Sequence, residues 1–352
     1  MNKKPILSVV IPTIGRPMVL RAVESLLAAN PWPGRQSSEL EIIVVGAIMD
    51  PAVAERLEGL IKNNPQIIHL PVSFERGDSS EKKNAGWRAA HSELVAFVDD
   101  DVIVGADWPA GIVEPFADNA VGLISGPGLV PADIPLMARL AGWTLASRAA
   151  GYVQERYLAE GVAPKPVKWS RLIGCNMAYR RKVLEEINGF DVKFWPGEEM
   201  IAAYIATVRK GHTLVFQPKA VLYHYPRAGY WRFLEQMYGY GATRIRLIRA
   251  GTDVEPATLA PMFLFASFIL FAAGAFFSKI MLALLFVLSA SYFLFVAWCA
   301  CLKLRDEKNS KALLIAFMIP GMHLAYGLAQ WVELFRPGRD LSIKKCRMKN
   351  NS

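Results

Sequence analysis

Hydrophobic and polar positions divide the chain into two parts that meet near residue 258. In the first part, short apolar runs rich in Val and Ile alternate with stretches of helical period. ILSVVIP (6–12), EIIVVG (41–46), QIIHLPV (66–72) and LVAFV (94–98) each predict a buried strand. Between them, MVLRAVESLLAAN (18–30), PAVAERLEGLIKN (51–63) and EKKNAGWRAAHS (81–92) predict helices. Continuous apolar strands alternating with helices specify an α/β fold with a parallel sheet covered on both faces. Such sheets bind ligands beyond the carboxyl ends of their strands.

In the second part apolar runs dominate. LAPMFLFASFILFAAGAFF (259–277) carries no charge, and IMLALLFVLSASYFLFVAWCACL (280–302) follows after only Ser278 and Lys279. Each is close to the roughly 20 residues that cross a bilayer core, so the pair predicts a transmembrane hairpin. A polar stretch, KLRDEKNSK (303–311), leads to ALLIAFMIPGMHLAYGLAQWVELF (312–335). That run is long enough for a third span. A break at Pro320 and Gly321 would make it re-entrant instead, and its length favours the span. The basic 303–311 loop belongs on the cytoplasmic side, together with the N-terminal part. The expected organisation is an α/β domain over 1–257, two to three transmembrane helices over 258–335 and a basic tail over 336–352.

Charge narrows the partners. The formal net charge is +9 and the pI about 9.3, which suits an anionic substrate or surface. The basic residues are scattered and accompany membrane spans, so nucleic acid is not expected. The four cysteines show no paired spacing of a zinc site, and no disulfide framework is implied.

The chemistry candidates begin at AFVDDDVIV (96–104), where Asp99, Asp100 and Asp101 end the fourth strand. Adjacent carboxylates repel one another and stay ionised only when solvated or bound to cations. Hard oxygen ligands suit Mg²⁺ or Mn²⁺, which commonly bridge to substrate phosphates. In an extended segment Asp99 and Asp101 point to one side and Asp100 to the other. A solvated acidic turn is the plain structural alternative.

Several ordered motifs over roughly 7–245 resemble family 2 glycosyltransferases of the GT-A fold. SVVIPTIGRP (8–17) resembles the opening strand and nucleotide loop. KKNAGWRAA (82–90) resembles the stretch before the metal motif, and FVDDDV (97–102) the DxD motif itself. IGCNMAYRRKVLEEINGFD (173–191) is similar to the acceptor-side segment, and PGEEM (196–200) stands where the family usually has Glu-Asp. VLYHYPR (221–227) supplies His224, similar to the family's third metal contact.

The resemblance implies a GT-A domain, Rossmann-like, followed by C-terminal transmembrane helices. It also implies an inverting, metal-dependent transferase acting on a nucleoside diphosphate sugar. Glu199, with Glu198 beside it, stands as the catalytic base. Pro12, Thr13, Lys83, Asn84, Asp99 and Asp100 stand as donor contacts. Asp99, Asp101 and His224 stand as ligands of Mg²⁺ or Mn²⁺, and Trp195 as a stacking residue. Each has a structural alternative: a packed His at a strand end, a solvated helix start for Lys83 and Asn84, acids favoured at a helix N-terminus for the Glu pair, a core Trp.

Two positions depart from the family pattern. Gly46 occupies the place of an acid after the second strand that commonly helps read the base. Glu199 replaces the usual Asp, and the extra methylene moves a carboxylate by roughly an ångström, which can cost about a hundredfold in rate.

The segment 131–157, rich in Leu, Ala and aromatics, fits either a membrane interface or an ordinary packed helix. The segment 230–251 carries Arg244, Arg246 and Arg249, suited to anionic headgroups or a lipid diphosphate. Together with the spans they point to a lipid-linked acceptor, and the resemblance to cell-surface polysaccharide glycosyltransferases implies a place in cell-surface polysaccharide biosynthesis. The expected location is the cell inner membrane, multi-pass, with the catalytic domain cytoplasmic. Processive synthases of the family carry Gln-x-x-Arg-Trp, whereas Gln236 is followed by MYGYG, so single-sugar addition is expected. A polyprenyl-phosphate sugar synthase and a non-catalytic membrane scaffold that keeps the fold are the rival readings.

Overall fold

The computed structural model describes residues 4–30, 39–73, 79–159, 162–194, 196–225 and 229–336. Trp195 and the tail beyond Arg336 lie outside the described residues. The chain forms two compact units. The first comprises residues up to 131 together with 155–225, and the second comprises 132–154 with 226 onwards. The compositional step near 258 falls inside the second unit.

The first unit opens with β1 (Leu7–Pro12), α1 (Met18–Ala28), β2 (Leu40–Val45), α2 (Pro51–Asn63), β3 (Ile67–Leu70), α3 (Ser79–Ala89), β4 (Leu94–Val98), β5 (Val102–Val104) and α4 (Trp108–Val113). β1 to β4 and α1 to α3 fall where the apolar runs predict them, and β5 and α4 are additional elements that the pattern did not mark. The unit continues with β6 (Val121–Ser125) and β7 (Gly128–Leu129). After the excursion into the second unit come β8 (Lys165–Pro166), β9 (Asn176–Arg180), α6 (Arg181–Ile187), α7 (Glu198–Tyr204), β10 (Thr213–Phe216) and β11 (Leu222–His224); the excursion carries α5 (Leu136–Leu145).

Among the described residues the main sheet runs β3-β2-β1-β4-β9-β6-β10-β8. β1 to β4 are mutually parallel, as the pattern predicts. The sheet as a whole is mixed, which corrects the all-parallel expectation. β9 runs antiparallel to both β4 and β6, and β8 antiparallel to β10. The reason is that β9 is buried on both faces, so its apolar content looks the same in either direction. A smaller sheet, β5-β11-β7, lies beyond the end of β4.

Burial explains why both faces of these strands are apolar. Val9, Ile11, Ile42, Val44, Ala96 and Val98 share one core with α1 residues Val19, Val23 and Leu26. On the opposite face α3 approaches so closely at Gly86 that a Cβ there would meet Val10 Cγ1 at 2.3 Å. Each fully buried Val or Ile contributes about 1.5–3 kcal/mol. The close approach of α3 fixes the position of Lys83 and Asn84, one turn before Gly86.

The second unit adds α8 (Tyr230–Arg249), α9 (Ala260–Gly274), α10 (Lys279–Glu307) and α11 (Ile315–Phe335) to α5. Among the described residues three helical segments are long and apolar enough to cross a membrane: Pro256–Gly274, Lys279–Glu307 and Ser310–Phe335. Large apolar side chains such as Phe286 (73% exposed) and Phe293 (70%) stand on the surface of α10, as lipid contact requires. The protein is therefore membrane-associated. α11 passes through Pro320 without the break that the re-entrant alternative supposed. Several polar groups on α11 bond inside the protein, while Gln330 Oε1 is buried without a partner among the described residues. Gln330 Nε2 donates to the Thr258 carbonyl at 2.8 Å, and Trp331 Nε1 to the Met262 carbonyl at 3.0 Å. His323 lies 2.9 Å from the Ala149 carbonyl and 3.0 Å from the Tyr292 hydroxyl. That is how polar residues persist at membrane depth.

The segment 131–157 is largely packed. Leu140, Ala141 and Trp143 of α5 join Phe233, Met237, Cys299 and Met318 in one apolar cluster. α8 and α11 approach at Gly241, where a Cβ would stand 2.2 Å from the Tyr326 carbonyl oxygen.

Candidate functional site

The acidic run leaves the carboxyl end of β4 as its sequence position requires. β4 and β9 pair antiparallel, ending at Val98 opposite Asn176. The next residue on each strand is Asp99 and Cys175. β5 and β11 also pair antiparallel, with His224 opposite Val102, and the Tyr225 N–H donates to the Asp101 carbonyl at 3.0 Å. Two short ladders therefore deliver Asp99, Asp101, Cys175 and His224 to one place.

The donor atoms of Asp99, Cys175 and His224 all lie within 4.8 Å of one another. His224 Nε2 is 3.3 Å from Asp101 Oδ1. Burial and repulsion from Asp101 push the Asp99 carboxyl above the usual range. Burial also pushes Asp101 upward, but the His224 bond and charge and Arg16 pull it below the ordinary value. Burial would lower His224, yet Asp101 and Asp99 raise it overall. Carboxylates and an imidazole gathered at one strand end, with opposing electrostatic demands, form a donor set that fits a divalent cation.

Asp100, in the turn that follows β4, turns towards the loop after β1. Its carboxylate accepts from the Thr13 hydroxyl at 2.6 Å and the Ile14 N–H at 3.3 Å, and pairs with Arg16 Nη2. Arg16 Nη1 reaches Asp101 at 3.1 Å. Asp100, 2% exposed, thus ties the loop after β1 to the acidic run. Pro12 ends β1 opposite Val45, and the Thr13 N–H bonds to the Val45 carbonyl at 2.8 Å. Arg16 is a site residue that motif reasoning did not single out. Its signal was available: a basic residue in the loop beside a strand that ends in three carboxylates.

A second charged group lies next to the first. Lys83, 2% exposed, stands 3.1 Å from Glu198 and also pairs with Glu199. Its nitrogen lies 5.6 Å from the centre of the Phe190 ring. Burial would depress the Lys83 pKa, but Glu198, Glu199 and Asp99 raise it well above the usual lysine range. The two glutamates are driven apart. Burial would raise Glu198, but Lys83 and its backbone bond hold it below the ordinary value. Its Oε2 accepts from the Gly197 N–H at 3.0 Å. Glu199 is raised to about 6 by burial and by the neighbouring Glu198 charge. Its carboxylate lies against Gly174, where an added Cβ would stand 2.9 Å from Oε1. Gly174 precedes Cys175, so the glutamate pair and the donor cluster adjoin at neighbouring residues of one loop.

Asn84 is committed to structure. Its Nδ2 donates to the Phe190 carbonyl at 2.7 Å, and its Oδ1 accepts from the Phe190 N–H at 2.9 Å and Trp87 Nε1 at 3.0 Å. Gly189 has φ +69, and a Cβ there would meet Asn84 Oδ1 at 2.2 Å. The Gly-Phe-Asp segment is thereby clamped to α3.

At Gly46, φ is +143 and a Cβ would stand 2.1 Å from the Thr13 carbonyl oxygen. The backbone here leaves no space for an acidic side chain. His69 Nε2 lies 2.9 Å from the Gly46 carbonyl.

Of the basic residues on α8, Arg246 pairs with Glu333 at 3.0 and 3.1 Å, and Arg249 Nη2 donates to the Leu334 and Arg336 carbonyls at 2.8 and 3.2 Å. Arg244 Nη2 donates to the Tyr152 hydroxyl at 2.6 Å, and among the described residues its Nη1 is buried without a partner.

The model of the glycosyltransferase-like family 2 matches residues 5–250. Among solved structures, the mannosyltransferase PcManGT from Pyrobaculum calidifontis, in complex with GDP-Man and Mn²⁺, matches with a TM-score of 0.63 and 18% identity. The match covers 94% of this chain and 88% of that one. GalNAc-T7, with UDP, GalNAc and Mn²⁺, matches with a TM-score of 0.47 and 17% identity over 69% of this chain and 51% of that one. No curated protein matches the chain. The likeness to the mannosyltransferase shows the GT-A fold.

Proposed function

Because the chain belongs to the glycosyltransferase-like family 2 and is a glycosyltransferase, we propose that it moves one sugar, with inversion, from a nucleoside diphosphate sugar to a lipid-linked acceptor. The observation that carries this reading is the meeting of two groups at the end of β4: the donor cluster of Asp99, Asp101 and His224, and the Lys83-Glu198-Glu199 group.

Asp99, Asp101 and His224 would hold Mg²⁺ or Mn²⁺. A bound divalent ion there supplies Lewis acidity for a departing diphosphate. Thr13, Ile14 and Arg16, tied to Asp100, shape the loop that receives the donor. Asp100 acts through that loop, and Asn84 acts through the Phe190 segment.

Glu199 takes the acceptor proton. A general base works best with a pKa near the operating pH, and about 6 is closer to neutrality than an ordinary carboxyl. Glu198, ionised and bonded to Lys83 and the Gly197 N–H, holds α7 and the lysine in place. Two adjacent acids with pKa values driven apart commonly divide roles in this way.

The membrane unit favours an acceptor that lives in a bilayer. Arg244, beside Tyr152 and with one N–H free of partners, offers a charge for a lipid phosphate. The basic 303–311 stretch supports a multi-pass inner-membrane location with a cytoplasmic catalytic unit.

Product analysis tests the reading. Purified protein is incubated with a panel of labelled nucleotide sugars, Mn²⁺ and bacterial lipid extract. The expected product is a single labelled sugar in the organic phase, glycosidically linked and of inverted configuration. Label linked directly to a polyprenyl monophosphate would favour the carrier-charging reaction instead. Long polymers would contradict single addition.

A further inference from the structure

Cys175 meets Asp99 and His224 without any motif to announce it. Its position is set by the register that sets Asp99: one step beyond Val98 opposite Asn176. The backbone around it is held firmly. Asn176 accepts from Trp108 Nε1 at 2.9 Å and donates to the Pro127 and Ala220 carbonyls at 2.9 and 2.8 Å. The Asn176 N–H bonds to the Ile173 carbonyl at 3.0 Å, and the Ile173 N–H to Ser125 Oγ at 2.9 Å. A turn pinned at both ends thus presents the sulfur to the carboxylate and the imidazole.

We propose that the Cys175 sulfur is a ligand of the cation held by Asp99, Asp101 and His224, and that it biases the site towards thiophilic divalent ions such as Co²⁺ and Zn²⁺ over Mg²⁺. The proposal rests on the metal reading above. Two donors at the tetrahedral angle on one ion, at roughly 2.0–2.3 Å each, lie about 3.3–3.8 Å apart. The three atoms, all within 4.8 Å of one another, therefore close on one ion with up to about an ångström of side-chain movement. Coordination exchanges the thiol proton for the metal, and the proton leaves to solvent. Sulfur and imidazole favour softer first-row ions, whereas Mg²⁺ takes oxygen ligands.

Co²⁺ titration of the full chain in detergent tests this, beside Cys175→Ser and Cys175→Ala. The wild type should bind Co²⁺ with a sulfur-to-cobalt charge-transfer absorption that both variants lack. The variants should lose at least about tenfold in Co²⁺ affinity. Mg²⁺ affinity, read by competition against Mn²⁺, should move by less than about twofold. Co²⁺ should also slow alkylation of Cys175 by a maleimide in the wild type, measured by mass spectrometry, which decides the matter even where a variant folds poorly. Saturable Co²⁺ binding with no sulfur absorption and unprotected Cys175, or an absorption that survives both substitutions, overturns the sulfur ligand and leaves the metal site standing. No saturable Co²⁺ or Mn²⁺ binding overturns both.

Discussion

Lys83 Nζ lies 3.1 Å from Glu198 Oε1, with both side chains almost fully buried. A buried pair of this kind is costly to break, because the surviving charge has no solvent to turn to. Lys83→Met should destabilise the protein by about 3–5 kcal/mol, since it leaves two adjacent buried carboxylates without a counter-charge. Denaturant unfolding of the detergent-solubilised chain reads this directly. Pairing Lys83→Met with Glu198→Gln should recover part of the loss while activity stays absent. Equal instability of the single and double variants would mean that Lys83 packs rather than neutralises.

The pH dependence follows from Glu199. Its carboxyl is raised to about 6, and a general base must be deprotonated to accept a proton. Activity should therefore be full above that value and fall as the pH drops through about 6. kcat/KM reports the free enzyme, so its acid limb should carry this pKa. Glu199→Gln should remove at least about a hundredfold of turnover and abolish that limb. Glu199→Asp shortens the side chain towards the usual family residue. It should keep measurable activity, with the limb shifted towards an ordinary carboxyl value.

Gly46 explains a departure from the family pattern in steric terms. At φ +143 and 2.1 Å from the Thr13 carbonyl, a side chain must displace the loop after β1. Gly46→Asp should cost at least about 1–3 kcal/mol and weaken donor binding, not improve it. Thermal melting together with donor titration checks both effects. Tighter binding with unchanged melting would contradict the account.

In the membrane unit, Arg246 and Glu333 form a two-bonded pair at 3.0 and 3.1 Å. Glu333→Ala should destabilise by about 1–3 kcal/mol, because it removes two charge-assisted bonds from a part-buried guanidinium. Arg246→Met with Glu333→Leu should be close to neutral, because apolar replacement of both partners removes the desolvation cost. Unfolding in a detergent mixture measures the cycle.

Much of this was legible in the sequence, for reasons that particular residues make clear. β1 and β2 carry Val and Ile runs and β4 is apolar throughout, and a strand buried on both faces announces itself by composition alone. The two spans at 259–302 are equally plain from length and lack of charge. Strand direction was not legible at β9, because its pairing with β4 joins segments far apart in the chain. For the same reason Cys175 was invisible as a neighbour of Asp99. Nothing in GCN marks it until the register is known. Lys83 and Asn84 carried a motif resemblance that suggested the donor, while their contacts go to the Glu pair and to Phe190. A buried lysine looks like an exposed one in sequence until its carboxylates are placed beside it. Asp100 and Asp101 sit in a turn after β4, so it is the turn, not strand alternation, that sends Asp100 to the loop after β1.

The central claim is a metal-dependent sugar transfer at the end of β4. The most direct measurement is nucleotide-sugar consumption by the wild type, Asp101→Ala and Glu199→Gln, across a donor panel with lipid extract and Mn²⁺, with and without a chelator. The account expects the wild type to turn over one donor, chelation to stop it reversibly, and both variants to lose at least about a hundredfold while remaining folded. Undiminished turnover in Asp101→Ala, or in the presence of chelator, would contradict it.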